Sequence, residues 1–450
     1  MIEQATDAAG AARHGGRMAG RLREALRSRL LRNIVTVVTG TAGAQAVTMA
    51  FMPVITRLFG PEAYGILGTF LSLTLMLVPV AALTYPIAIV LPRRTAEAGA
   101  LVRLSVGIAT LLCGGVALVL FGFGGALATR LGIQIVQPYL MLVPLVMFSG
   151  AMLEIAQQWL YRHHRFRVTA SVAMLHSLLF NGLRSLAGLV HASASVLVIT
   201  TAAQHALHAA MLLVGIRRTG RADDPTEDGS PAPSAREMAY RHRDFPLYRA
   251  PQMLINAFSQ HLPTVVLAAY FGPAVAGFFA LCKQSLSMPT NLVGKSVADV
   301  YYPKLSDAVH RGESITGLLT KGVAGLALVG LLPFGLIFFA GPPLFAWVFG
   351  EEWRVAGEFA RWMALAEYAI FVSRPCTVAV PALSLQGRFL VFEIVSTLLR
   401  ISALLVGALW LEESLVTVQA FAFACIGIYA SLVVIVLFEA RRWHARQGLS

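Results

Sequence analysis

Lys283, Arg184, Arg374 and Arg400 each interrupt a long run of apolar residues. An ionised group at mid-bilayer depth costs about 2.5–3.5 kcal/mol even on the gentlest scale, so each needs a partner or a wet cavity. Arg184 and Lys283 have no acidic residue within two helical turns on their own segment, which favours the cavity. Arg374 and Arg400 follow Glu367 and Glu393 by seven residues, so an internal ion pair and a cavity-facing cation weigh about equally there. Lys295 and Asp299, four apart, read as an internal pair. Fixed guanidinium and ammonium groups in low dielectric bind anions, phosphates above all.

Polar residues accompany these cations on helical stripes. Arg249, Gln252, Asn256 and Gln260 follow i, i+3, i+7, i+11, and Thr41, Gln45 and Thr48 do the same farther upstream. Together these residues predict a hydrophilic, cationic cavity. Glu154 and Glu367 are candidates for ion coupling, by protons or sodium, because a desolvated carboxylate titrates closer to neutrality. Holding arginines in place is the plainer role for both. His205 and His208, with Gln204, suit a relay or simple packing, and His261 is a weaker cavity candidate.

The elements that must carry these residues follow from composition. The 450 residues are 57% hydrophobic and only 13% charged, with a mean hydropathy of +0.68. Crossing a hydrocarbon layer of about 30 Å takes about 20 helical residues, and twelve such runs are present. They lie near 33–58, 63–91, 101–125, 138–160, 168–190 and 193–216, then 248–271, 274–302, 317–340, 355–380, 389–411 and 415–438. The runs are continuous rather than alternating, which excludes barrel strands. The fold class is therefore an all-α membrane protein. Its parts are a basic arm (1–32), an N-terminal half (33–216), a flexible linker (217–247), a C-terminal half (248–438) and a tail (439–450).

Basic residues collect in one set of loops: the arm, Arg93 and Arg94, Arg162 to Arg167, the linker and the tail. Lys and Arg resist translocation, which places these loops and both termini in the cytoplasm and the protein in the bacterial inner membrane. The same pattern accounts for the net charge of +13 without nucleic acid. Residues 18–32 suit an interfacial helix on anionic lipid or a disordered basic arm. No cleaved signal peptide is expected. Cys113, Cys282, Cys376 and Cys425 show neither paired nor metal-ligand spacing and read as free buried thiols, so no cofactor is expected.

The halves repeat. FGPEAYG at 59–65 recurs as FGPAVAG at 271–277, an offset of 212. Pro53 and Pro79 recur as Pro263 and Pro289, Glu154 as Glu367, and Ser177, Asn181 and Arg184 as Glu393, Thr397 and Arg400. With six helices per half, the repeat is parallel, two lobes about a pseudo-twofold along the membrane normal.

DFPLYRAPQMLINAFSQHLPTVVLAAYFGPAVAGFFAL with MPTNLVGKSVADVYYPKLS, and PVITRLFGPEAYGILGTFLSL upstream, resemble the paired helices of Wzx-type polysaccharide flippases. These belong to the multidrug, oligosaccharidyl-lipid and polysaccharide (MOP) exporter superfamily. The resemblance covers about a quarter of the chain. It implies a V-shaped, MATE-like fold, alternating access, and a cationic lumen for an undecaprenyl-pyrophosphate-linked oligosaccharide whose lipid tail stays in the bilayer. It also implies ion-coupled or gradient-assisted turnover in O-antigen, lipopolysaccharide or exopolysaccharide synthesis. On this reading Lys283, Arg400, Arg184, Arg374, Arg249, Asn256, Gln260 and Gln45 bind substrate, and the protein works as a monomer. The nearest alternative is a cation-coupled multidrug exporter, which calls for acidic lumen residues. A membrane glycosyltransferase or polymerase is more remote, since every extracytoplasmic loop is short. The expectation is a transporter without catalytic residues.

Overall fold

The computed structural model describes residues 29–218, 233–311, 315–383 and 385–446. All regular structure among them is helical. The first element, α1 (Arg29–Leu77), is two legs joined at Gly60. It is followed by α2 (Thr95–Arg130), α3 (Val143–Arg162), α4 (Phe166–Val190) and α5 (Ala194–Arg218). A short α6 (Ala235–Arg241) precedes α7 (Ala250–Phe271), α8 (Pro273–Arg311), α9 (Ile315–Phe349), α10 (Arg354–Ala382), α11 (Gln386–Val406) and α12 (Ser414–Arg446).

Nine helical segments among the described residues are long and apolar enough to cross a membrane, Thr39–Val80 with its two legs being one of them. The segments α7 and α8 fall outside that set. Their apolar character is diluted by the Arg249 to Gln260 stripe and by Lys283. The outer helices show the opposite extreme. Leu111, Leu118 and Phe121 on α2, and Leu332, Phe339 and Trp347 on α9, stand more than 70% exposed. Bare apolar faces of this size on a helical bundle belong against lipid.

Several predicted boundaries shift. The expected second span, 63–91, stops being α-helical at Leu77 and continues as two 3-10 turns, Val78–Val80 and Tyr85–Val90. Pro79 and Pro86 cannot donate to an α-helical ladder, and Thr84 adopts a left-handed conformation (φ 59°) between them. The linker is also not uniformly irregular. Ser234 caps α6 by accepting from the Glu237 backbone N–H at 3.2 Å, and Met238 is fully buried beside Tyr85, Ile89 and Leu101. Arg241 pairs with Glu97 at 2.9 Å, and the Tyr85 hydroxyl donates to the Ala239 carbonyl. The sequence signal was the Ser-Ala-Arg-Glu capping box, hidden within a Pro- and Gly-rich stretch. The arm residues 1–28, the linker core 219–232 and the tail end 447–450 lie outside the described residues, as do the Lys295 and Asp299 side chains. All four cysteines are free and buried.

The duplicated motif governs how the halves meet. Gly60 (φ 69°, ψ 172°) and Gly272 (φ 86°, ψ 175°) adopt the same conformation, one that L side chains avoid. Each turns the chain sharply from one helical leg into the next. Five residues on, a Cβ at Gly65 would lie 1.7 Å from the Pro273 carbonyl oxygen, and one at Gly277 would lie 2.2 Å from that of Pro61. Each motif's last glycine thus admits the other motif's proline. Around this contact the Trp353 indole N–H donates to the Thr56 carbonyl, Arg57 donates to the Trp347 carbonyl at 2.7 Å, and the Tyr64 hydroxyl donates to Gln284 at 2.7 Å.

Two outcomes follow. Gly65→Ala forces the backbones apart and should lower stability by about 1–3 kcal/mol, as overpacking does, read as a reduced Tm in detergent. Gly114→Ala, where nothing lies within 4 Å of the added methyl, should leave it unchanged. Met238→Asp should release α6 and speed trypsin cleavage after Arg241 severalfold under native conditions, with the bundle intact by size-exclusion chromatography.

Candidate functional site: a chain of three polar cavities

The cation-bearing residues converge on three adjoining cavities. The first, about 390 Å³, lies where both legs of α1, α4 and α5 of the N-terminal half meet the near part of α8, and holds Gln45, Thr48, Tyr64, Asn181, Arg184 and Gln284. The second, about 440 Å³, lies at the seam, where Leu75, Val78 and Pro79 face α7 and α11. The whole predicted stripe of Arg249, Gln252, Asn256 and Gln260 lines it. The third, about 530 Å³, lies among α7, α8, α10, α11 and α12 and collects Lys283, Glu367, Arg374, Glu393 and Arg400. Leu75 is common to the first two, while Asn256, Gln260, His261, Phe389 and Glu393 are common to the last two.

Local structure explains why these side chains point inward. On α4, Ser177, Asn181 and Arg184 occupy one face and meet α1: the Ser177 hydroxyl donates to the Ala44 carbonyl at 2.8 Å and lies 3.1 Å from the Thr48 hydroxyl. Arg184 donates to the Thr201 hydroxyl (2.9 Å) and to Gln204 Oε1 (3.3 Å), with its guanidinium over the Phe180 ring. Arg400, the corresponding residue on α11, donates to the Ser259 hydroxyl (2.7 Å) and the Tyr429 hydroxyl (3.1 Å) and stands over the Tyr429 ring. Each repeat arginine is therefore steadied by an aromatic ring and by the last helix of its own half. Lys283 donates to the Gln260 carbonyl, Arg374 to Asn291 Oδ1 at 3.0 Å, and Asn256 to Glu393 Oε1 at 3.2 Å.

The ion pairs weighed for Glu393 with Arg400 and for Glu367 with Arg374 do not form. Salt bridges among the described residues lie outside the three cavities, at Arg241 with Glu97 and Glu237, Arg354 with Glu351, and Arg388 with Glu439. Seven residues along a helix is about two full turns, so both members share a face but stand about 10 Å apart along the axis, too far for side-chain contact without a bend. The five cations Arg184, Arg249, Lys283, Arg374 and Arg400 thus line cavities that also contain Glu367 and Glu393 but make no close pair with them.

The two coupling candidates separate. Glu367 is buried in the third cavity beside Lys283, whereas Glu154, half-buried on α3, lines none of the three. His205 and His208 line the first cavity, joined by His176, whose ring stacks on His208 with centroids 4.4 Å apart. Sequence reasoning overlooked His176, Tyr64, Gln284, Ser259, Asn291 and Tyr429. His176 was within reach, since it precedes Phe180 by four residues on the Ser177 to Arg184 face. Among the described residues no cluster of three or more His, Cys, Asp or Glu side chains is arranged to hold a metal ion.

Comparison with known proteins places this geometry. The chain is 24% identical over 358 residues to the succinoglycan biosynthesis transport protein ExoT of Rhizobium meliloti (strain 1021), an alignment covering 78% of this chain and 67% of that one. Its fold resembles that of the lipid II flippase MurJ in an inward closed conformation, with a TM-score of 0.71 at 12% identity over 89% of this chain and 87% of the other. It also resembles a multidrug resistance MATE family transporter of the MOP superfamily in an inward-facing conformation, with a TM-score of 0.62 at 13% identity over 91% and 94%. Residues 54–358 match the family described as polysaccharide biosynthesis protein. That match spans more than half of the sequence, and the chain, an integral membrane protein with the fold of the MOP-superfamily transporters, belongs to the polysaccharide biosynthesis protein family.

Proposed function

We propose that this protein is a flippase that carries an undecaprenyl-pyrophosphate-linked oligosaccharide from the cytoplasmic to the periplasmic leaflet. One observation carries the reading: Lys283, Arg374 and Arg400 line one cavity and none of them is in a salt bridge with another described residue. A pyrophosphate brings two or more negative charges, and its transfer through low dielectric is prohibitive without fixed compensating cations. Three cations held by separate helices supply that compensation while leaving exchange reversible, since no single tight cluster traps the ligand. Arg249 at the seam extends the positive lining toward the other half.

The family membership, the succinoglycan transport relative and the lipid II flippase neighbour agree with this reading. Twelve crossings in two six-helix lobes are its structural corollary. The double-legged α1, the polar α7 and α8, and the apolar segments supply them, and the reciprocal Gly65 and Gly277 contacts suit a pseudo-twofold along the membrane normal. Both termini are then cytoplasmic, in the inner membrane. Glu367, beside Lys283, is the carboxylate placed to exchange a proton or sodium ion during turnover. A carrier of cationic drugs would need the opposite lining, and five cations to two carboxylates argue against it.

In proteoliposomes holding a fluorescent undecaprenyl-pyrophosphate glycan, the wild-type protein should accelerate translocation, and Lys283→Ala or Arg400→Ala should each slow it by about tenfold or more, the loss of one charge-assisted contact. Wild-type rates in both variants, or uptake of a cationic dye in place of the glycan lipid, would refute the assignment.

A further inference from the structure

The cavities of the two halves differ in the chemistry of their unused hydrogen-bonding atoms. In the C-terminal cavity the buried side-chain atoms without a partner are Arg374 Nε and Arg400 Nε, both cationic donors. In the N-terminal cavity they are Gln45 Oε1, Arg184 Nε, His205 Nδ1 and His208 Nε2. An amide oxygen only accepts, a guanidinium nitrogen only donates, and a neutral imidazole nitrogen does either according to tautomer. Buried polar atoms left unpartnered are costly, so a set of them lining one cavity marks what its ligand must supply.

A phosphate oxygen accepts but does not donate, so it satisfies the C-terminal set and leaves Gln45 Oε1 unmet. A hydroxyl both donates and accepts, and a ligand bearing several satisfies the mixed N-terminal set. The N-terminal cavity also has only one cation, Arg184, already engaged by Thr201 and Gln204. Its wall presents a ladder of flat rings, Phe180 on His176 (5.6 Å) and His176 on His208 (4.4 Å), nearly parallel. The stack fixes the orientation of the His208 imidazole, whose Nε2 has no partner. Cavity volumes of 390 and 530 Å³ fall in the range of small-molecule sites, and the seam cavity adjoins both, sharing Leu75 with the first and Asn256 and Gln260 with the other.

We infer that the two halves divide the substrate: the C-terminal cavity holds the pyrophosphate, and the N-terminal cavity, through Gln45, His205, His208 and Arg184, is a separate subsite for the neutral, hydroxyl-rich sugar next to it. This rests on the flippase reading above and adds to it a location for glycan recognition. The division makes affinity depend on the presence of a sugar through the first cavity only.

The test measures Kd for two probes, undecaprenyl pyrophosphate and the same lipid carrying a single glucose or galactose, on the full chain in nanodiscs. Wild type should bind a sugar-bearing probe about tenfold more tightly, the effect of one or two buried hydrogen bonds. Gln45→Met and His208→Phe, made separately so that a folding failure in one leaves the other to decide, should bring that ratio close to one. Arg400→Gln should weaken both probes and keep the ratio. A wild-type ratio of one, or a ratio unchanged in the folded N-terminal variants, overturns the subsite while leaving the flippase reading standing. Failure of wild type to bind any of these lipids overturns both.

Discussion

A fixed positive charge cannot rest in hydrocarbon, and that constraint orders this bundle. Arg184, Lys283, Arg374 and Arg400 are spread over four helices, with Arg249 at the entry to α7, and each must turn toward water, a ligand or a protein group. Facing them inward brings the polar stripe of α7 to the seam and leaves α2 and α9 to present bare leucine and phenylalanine on the outside. Neutralising each cation with a carboxylate would have satisfied the same constraint with a solid interior. Five cations against two carboxylates, none in a salt bridge with another described residue, leave the three cavities with an excess of positive charge.

The duplicated halves have kept what sterics dictate and changed what chemistry permits. Gly60 and Gly272 share a backbone conformation, and Gly65 and Gly277 each admit the opposite proline, because any side chain there would collide with main chain. The cavity positions are under no such limit. Ser177 is neutral where Glu393 stands, and Glu154 lines none of the three cavities while Glu367 lines one. Arg184 and Arg400 retain their place above an aromatic ring, yet one is bonded by a threonine and a glutamine and the other by a serine and a tyrosine. A common scaffold thus carries two cavities of different character.

The parts of this arrangement legible in the sequence are those set by neighbours three, four or seven residues apart. The α7 stripe could be read because helical periodicity alone puts Arg249, Gln252, Asn256 and Gln260 on one face. The sharp Gly-Pro turns and the duplication were visible for a similar reason. Contacts between helices were not. Nothing local joins Arg400 to Tyr429, or Tyr64 to Gln284, 220 residues apart. The same blindness made Glu393 and Arg400 look like partners, when the glutamate is met by Asn256 from α7 and the arginine by Ser259 one turn along that helix. The end of α1 at Leu77 depended on how Pro79 and Pro86 would be accommodated, and hydropathy does not report that.

How the halves are fastened bears on how they would move. At the Gly-Pro turns they are held by main-chain contact and by hydrogen bonds from Trp353, Arg57 and Tyr64. Beyond the far end of the second leg of α1, the linker helix α6 holds the entry of the C-terminal half through buried Met238 and the half-exposed Arg241. An exposed ion pair contributes about 0–1 kcal/mol, so that fastening rests chiefly on buried Met238 and on the hydrogen bond from Tyr85 to the Ala239 carbonyl. Opening the Gly-Pro end gives up several hydrogen bonds and close main-chain packing together. A ligand shifts such an equilibrium only by the difference in its affinity for the two arrangements. A ligand held wholly within one half would travel with that half and gain nothing from the change, whereas one that spans the seam, with its charge among Lys283, Arg374 and Arg400 and its neutral groups near Gln45 and His208, feels every displacement of one half against the other.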